Sequence, residues 1–249
     1  MKRIIIFLFS VFSFTCLYSQ DSVRISGYAT DFNDNALDSV TVRIKNKKFE
    51  DLYETVTNKE GYYSLTVEKG KYYCIYAIKL ADYGKTKLEY WAWNIPAYND
   101  LEINPRYERM EIYGINAFEP QINPHDTYMV YFRPMSLTKA MVLQKNRNKS
   151  REDIENESIA GEDLINISPT SITKEELTVS VNDRPTQVLS INKIVEYARG
   201  SYMYGYLIQI KKPMDSPKKE SDYDKISILL HSKETDEYGL GEYFVKKVK

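Results

Sequence analysis

The stretch Val23-Arg24-Ile25-Ser26-Gly27-Tyr28-Ala29-Thr30 alternates apolar or small residues with polar or larger ones. That period of two is the pattern of a half-buried β-strand, and it recurs along nearly the whole chain. Downstream, Val40, Val42 and Ile44 alternate with Thr41, Arg43 and Lys45, and further runs follow at Leu52–Thr57, Gly61–Val67, Tyr72–Lys79 and Thr86–Asn94. Each run is short, rich in Tyr, Val, Ile and Thr, and set off by Asn, Asp, Gly or Lys clusters. Strands of this length and spacing predict a β-sandwich. A second series runs through Arg109–Gly114, Thr127–Arg133, Leu137–Gln144, Leu177–Asn182, Thr186–Asn192, Tyr202–Ile210, Lys225–His231 and Glu242–Val248. The expected fold is therefore all-β, with two sandwich domains over 20–98 and 106–249, the second immunoglobulin-like. The connector is placed at 95–105, where Pro96, Asn99, Asp100 and Pro105 cluster. Asn182-Asp183-Arg184-Pro185 reads as a turn, and Thr173–Glu176 as a single helical turn capped by Ser171.

Upstream of the first strand, Met1-Lys2-Arg3 precedes an apolar run from Ile4 to Leu17. The run falls short of the roughly 20 apolar residues needed to span a bilayer as a helix, and small Ser19 follows it. A signal peptide over 1–19, cut before Gln20, is the expectation, with lipid attachment at Cys16 as the alternative. Export to the periplasm or cell surface follows. The mature chain then carries 32 basic and 35 acidic residues and a single cysteine, Cys74. One thiol closes no internal disulfide, so packed cores must hold the fold. A nearly balanced charge lacks the basic excess of a nucleic-acid binder, and no later segment is apolar enough to span a membrane.

The stretch from Ser22 to Ile78 resembles the carboxypeptidase regulatory-like domain, a transthyretin-like sandwich. The resemblance is carried by the strand ending at Gly27, Thr30-Asp31, the turn Asn33-Asp34-Asn35, and Leu37 with Ser39–Val42. It continues through Thr57-Asn58-Lys59-Glu60-Gly61-Tyr62-Tyr63-Ser64-Leu65 and Gly70-Lys71-Tyr72-Tyr73. It covers roughly a quarter of the chain. Asn58 stands where the family pattern usually has Asp. The resemblance implies a small non-catalytic module that serves as a spacer or interaction domain, with no catalytic residue to transfer.

Chemistry-bearing residues are sparse. Asp31, Asn33, Asp34, Asn35 and Asp38 gather oxygens, yet a helical-hand calcium loop counted from Asp31 puts Ala36 where Gly is needed and Val42 where Glu is needed. A hairpin turn explains the same residues. His125 and His231 lie far apart, no zinc spacing or G-x-S-x-G is present, and Cys74 sits between Tyr73 and Ile75 as a buried small hydrophobe. No metal or cofactor is implied, and the chain is read as a non-enzyme, with a hydrolase the distant alternative. Asn148, Asn156 and Asn166 match the N-x-S acceptor pattern, and the charged stretches 145–157 and 213–225 read as solvated loops or docking loops.

The informative run is Lys87-Leu88-Glu89-Tyr90-Trp91-Ala92-Trp93-Asn94. Alternation puts Leu88, Tyr90 and Ala92 on one face, and Lys87, Glu89, Trp91 and Trp93 on the other. Two exposed indoles form an apolar patch that a soluble protein tends to cover, here by the second domain or by a ligand. Two functions follow. One is a structural or interaction module whose partner is another envelope protein. The other is a glycan-binding protein using Trp91, Trp93 and Tyr90 as an aromatic platform.

Overall fold

The computed structural model describes residues 21–122, 126–153, 166–198, 201–213 and 222–247. The expected signal peptide with Cys16, and also His125 and Asn156, lie outside them, as do 154–157 and 214–221 of the two charged stretches.

Fifteen strands and one helix are present among these residues. The first half contains β1 (Ser22–Tyr28), β2 (Thr41–Lys45), β3 (Asp51–Val56), β4 (Tyr62–Glu68), β5 (Gly70–Ile78), β6 (Tyr90–Ala97) and β7 (Leu101–Glu102). The second begins with β8 (Met110–Phe118), β9 (Thr127–Ser136) and α1 (Leu137–Asp153). It continues with β10 (Leu177–Val181), β11 (Arg184–Thr186), β12 (Val188–Ala198), β13 (Ser201–Lys211), β14 (Tyr223–Ser232) and β15 (Glu237–Lys246). They make an all-β sandwich of three sheets, ordered β4-β1-β7, β12-β13-β9-β8, and β11-β10-β14-β15-β6-β5-β2-β3.

The alternation in the sequence is the alternation of burial. Val23 and Ile25 in β1, Tyr63, Leu65 and Val67 in β4, and Ile226, Ile228 and Leu230 in β14 all point into the core, and the residues between them, polar except Leu229, are more exposed. Turn chemistry also follows composition. Asp31 Oδ1 accepts the backbone N–H groups of Asn33 and Asn35 at 2.8 and 3.0 Å, so its carboxylate is spent on the turn. Asn58 Oδ1 does the same for Glu60 and Tyr62, and Gly61 follows at φ +75°, so the amide oxygen makes the two contacts a carboxylate would make here. Asn182 and Asp183 both have positive φ, the type I′ geometry that joins β10 to β11.

Three expectations need correction. Residues 137–144 form the start of α1, not a strand. Ser136 Oγ accepts the N–H of Lys139 as an N-cap, and the Glu237 carboxylate of β15 accepts the N–H of Thr138 at 2.9 Å. Leu, Lys, Ala, Met and Gln then suit a helix better than a strand. The cap of the 3-10 turn Lys174–Glu176 is Thr173, whose N–H donates to the Glu176 carboxylate at 2.8 Å, and not Ser171.

The third correction is that 95–105 is no free connector. Ile95–Ala97 finish β6, and Leu101–Glu102 pair in parallel with Ile25–Ser26 of β1. Ile103 is buried, donates its N–H to Ser26, and accepts the Tyr63 hydroxyl at 2.8 Å. Pro96 pairs with Lys71 of β5 near the end of β6, beyond the β15 ladder, which covers only Trp91–Trp93.

That ladder positions the site. β6 pairs with β5 on one side and, in parallel, with β15 on the other, so one eight-stranded sheet runs through both halves. Glu242, buried in β15, accepts hydrogen bonds from Tyr90 of β6 and Ser227 of β14 and ties the seam. β8 crosses closely over β15: a Cβ on Gly241 would stand 2.7 Å from the Ile112 carbonyl oxygen.

Candidate functional site

Tyr90 and Trp91 are neighbours on a strand and therefore face opposite ways. Tyr90 is fully buried against Glu242, on the core side where alternation put it. Trp91 and Trp93 face the other way and stack on each other, with ring centroids 5.2 Å apart and planes at 17°. Rings from both halves cover them. Tyr113 of β8 stands edge-on to both at 5.4 and 5.1 Å, Phe49 from the β2–β3 turn does the same, and Tyr73 and Tyr76 of β5 close the sides. Trp91 is 6% exposed and Trp93 4%. The structure thus brings the two indoles together, sends Tyr90 elsewhere, and leaves too little ring face open for a stacking platform. An indole contributes a large apolar area to burial, and edge-to-face partners suit its quadrupole.

Beside this cluster an open cleft of about 740 Å³ lies between the halves. Trp93 and Asn94 of β6, Tyr73 of β5, Tyr113 and Gly114 of β8, and Arg133 of β9 line it. Its shape comes from local irregularities. The β6–β15 ladder ends at Trp93–Tyr243, after which Asn94 turns left-handed at φ +62° and donates its amide to the Phe244 carbonyl. Opposite, β8 carries a bulge between Tyr113 and Asn116, where Gly114 has φ +63°. Bulges of this kind re-aim side chains at the margin of a sheet. Arg133 lies over the Tyr113 ring, 5.3 Å from its centroid, and pairs with Glu196 at 3.3 Å. Sequence reading missed Tyr113, Arg133 and Phe49. The single signal was Gly114 inside an otherwise alternating run, the mark of a bulge.

Behind Trp91 sits a buried acid pair, Glu89 and Glu111. Burial, then the adjacent Glu89 carboxyl, push Glu111 well above the usual carboxylate range, against the pull of Trp91 and Arg133. Burial also raises Glu89, although its own backbone N–H, Tyr83 and Glu111 pull it down. Two carboxyls packed this way share a proton. Raised folded-state values mean that the pair favours folding at low pH. That contribution is lost as pH rises from the ordinary value of 4.5 through the raised ones. Asp31, Asp38 and Glu234 are lowered and work in the opposite direction at the acid end. The difference between wild type and Glu111→Gln isolates the pair. The wild-type Tm should fall relative to the variant as pH rises above the ordinary carboxylate value of 4.5, each unit of raised value being worth about 1.4 kcal/mol. Parallel pH profiles for the two proteins would contradict the shared proton.

Cys74 is wholly buried in β5, and burial pushes its thiol up to about 12, with Lys45 pulling down and Asp51 pushing up. A thiol reagent at about pH 8 should leave the native protein unlabelled and react after denaturation. Rapid stoichiometric labelling of the native state would refute the burial. His231 Nε2 lies 2.7 Å from Asp236 and its ring stacks on Tyr238, within the β14–β15 hairpin. Among the described residues no group of three or more His, Cys, Asp or Glu is placed to hold a metal ion. No helix among them is long and apolar enough to cross a membrane.

No family model matches the sequence, and no curated protein matches it either. Among solved structures, BcpA, the major pilin subunit of Bacillus cereus, is similar over 90% of this chain and 67% of that one, at 13% identity and a TM-score of 0.27. A DUF3823 family protein from Parabacteroides merdae is similar over 90% of this chain and 98% of that one, at 7% identity and a TM-score of 0.24. Another from Bacteroides uniformis is similar over 92% and 100%, at 12% identity and a TM-score of 0.23. Scores this low carry no argument about function. The sandwich architecture rests on the strands and their pairing.

Proposed function

We propose that this is an exported cell-envelope protein acting as a structural or protein-interaction module, without catalysis of its own. The observation that carries the reading is the seam. β6 of the first half and β15 of the second join edge to edge in one eight-stranded sheet, pinned by the Glu242 hydrogen bonds and the Tyr113–tryptophan cluster, and on this reading the sandwich units proposed over about 20–98 and 106–249 meet there. Such a joint transmits position and load between its ends, as a spacer must, and holds its surface loops in fixed relation. In the first unit, the order of turns at Asn33–Asn35, Asn58–Gly61 and Lys69–Gly70 supports the carboxypeptidase regulatory-like reading.

The partner on this reading is another envelope protein. A photo-crosslinking residue at Leu52, on the rim of the cleft, is compared in living cells with one at Tyr28, exposed on β1. A discrete protein adduct at one position and absent at the other supports the module reading. Equal diffuse labelling at both, or a saccharide adduct alone, overturns it. The glycan alternative is favoured by one observation, the cleft beside Trp93.

A further inference from the structure

The junction cleft holds polar groups that packing leaves unused. Trp93 and Arg133 both line it, and both carry a buried N–H, Nε1 and Nε respectively, with no hydrogen-bond partner. A buried donor without an acceptor costs about 1–3 kcal/mol, and here two such donors belong to residues lining one cleft. Arg133 spends one end of its guanidinium on Glu196 and leaves Nε over. Lys47 and Lys71 add two more cations to the lining, and no Asp or Glu is among the lining residues. With Glu196 balancing Arg133, the two lysines leave the described lining with a net positive charge.

We propose that this cleft is a binding site for a carboxylate-bearing saccharide. The site goes beyond the interaction role and stands or falls separately from it. Modest side-chain shifts at the cleft wall bring Arg133 Nε and the Trp93 N–H, both closed off in the unbound protein, to the carboxylate, a charge-assisted pairing that satisfies both orphaned donors. The apolar face of a sugar ring lies against the half-exposed ring of Tyr73, beside Tyr113, whose own ring carries the Arg133 guanidinium. The Asn116 amide on the rim suits its hydroxyls. A volume of about 740 Å³ lies within the range of small-ligand sites.

The alternative occupant, an extended acidic peptide, would add as a strand to an open sheet edge. β8 is that edge, but its bulge at Gly114–Ile115 interrupts the row of backbone groups a peptide needs. The left-handed turn at Asn94 ends the opposing ladder in the same place. The opening therefore favours a compact ring over a strand.

Trigalacturonate, galactotriose and hexaglutamate are titrated calorimetrically into the mature protein. Trigalacturonate should bind with a Kd of about 1 mM or tighter, and neutral galactotriose at least about tenfold more weakly. Trp93→Phe keeps the ring and removes the N–H, while Arg133→Lys keeps the charge and removes the guanidinium Nε. Each should weaken trigalacturonate about three- to tenfold with circular dichroism unchanged, and so should Lys71→Gln through lost charge. Equal binding of the neutral trisaccharide, no measurable trigalacturonate binding, or full affinity in both Trp93→Phe and Arg133→Lys overturns the proposal. Tighter binding of hexaglutamate than of trigalacturonate also overturns it, in favour of a peptide site.

Discussion

Replacing Trp91 and Trp93 together by alanine should remove most of the protein's stability. One buried indole cut back to a methyl costs about 3–5 kcal/mol, against a total margin of about 5–15 kcal/mol for an ordinary domain. The two rings touch, so the double loss should exceed either single one but fall short of their sum. The cavity opens at the seam, between Phe49 and Tyr73 of one half and Tyr113 of the other. The two halves should therefore loosen together, and protease should enter between them before either core melts. Urea denaturation followed by circular dichroism measures the loss. A double variant as stable as wild type, impaired only in saccharide binding, would mean that the indoles serve a ligand and not the joint.

Glu237→Ala should be the most damaging single change outside the aromatic cluster, at about 3–5 kcal/mol. Glu237 is 2% exposed, and it accepts from the hydroxyls of Ser136 and Thr138, the backbone N–H of Thr138, and Arg109 at 3.3 Å. Removing it strands those donors at the turn where β9 enters α1, and releases that turn from β15. Glu237→Gln keeps the shape and one acceptor oxygen, and should cost clearly less. Denaturation midpoints of the two variants decide the matter. An Ala variant within about 0.5 kcal/mol of wild type would show that the carboxylate does not hold the turn.

The Glu237 contact also shows why α1 was not legible beforehand. Ser136 caps the helix locally, but the acid at its first turn comes from a strand a hundred residues later. Within 137–144 alone, short apolar spacing fits either period. The linker is a similar case. Pro96, Asn99, Asp100 and Pro105 have the composition of a connector, and only the strand pairing shows Pro96 near the end of β6, beyond the β15 ladder.

Within single elements, the sequence by itself determined much of this protein. Period-two burial, the Asx turn at Asp31, the positive φ at Gly61 and the Asn182–Asp183 hairpin depend on neighbours a few residues away, and backbone sterics act over that range. The opposed faces of Tyr90 and Trp91 were legible for the same reason. Tertiary structure alone decided what covers those faces. Tyr113 over the tryptophans, Arg133 in the cleft and Glu242 across the seam come from strands whose pairing partners are set by the packing of whole sheets. Local periodicity tells which side of a strand seeks burial, but it carries no information about which distant strand will provide it.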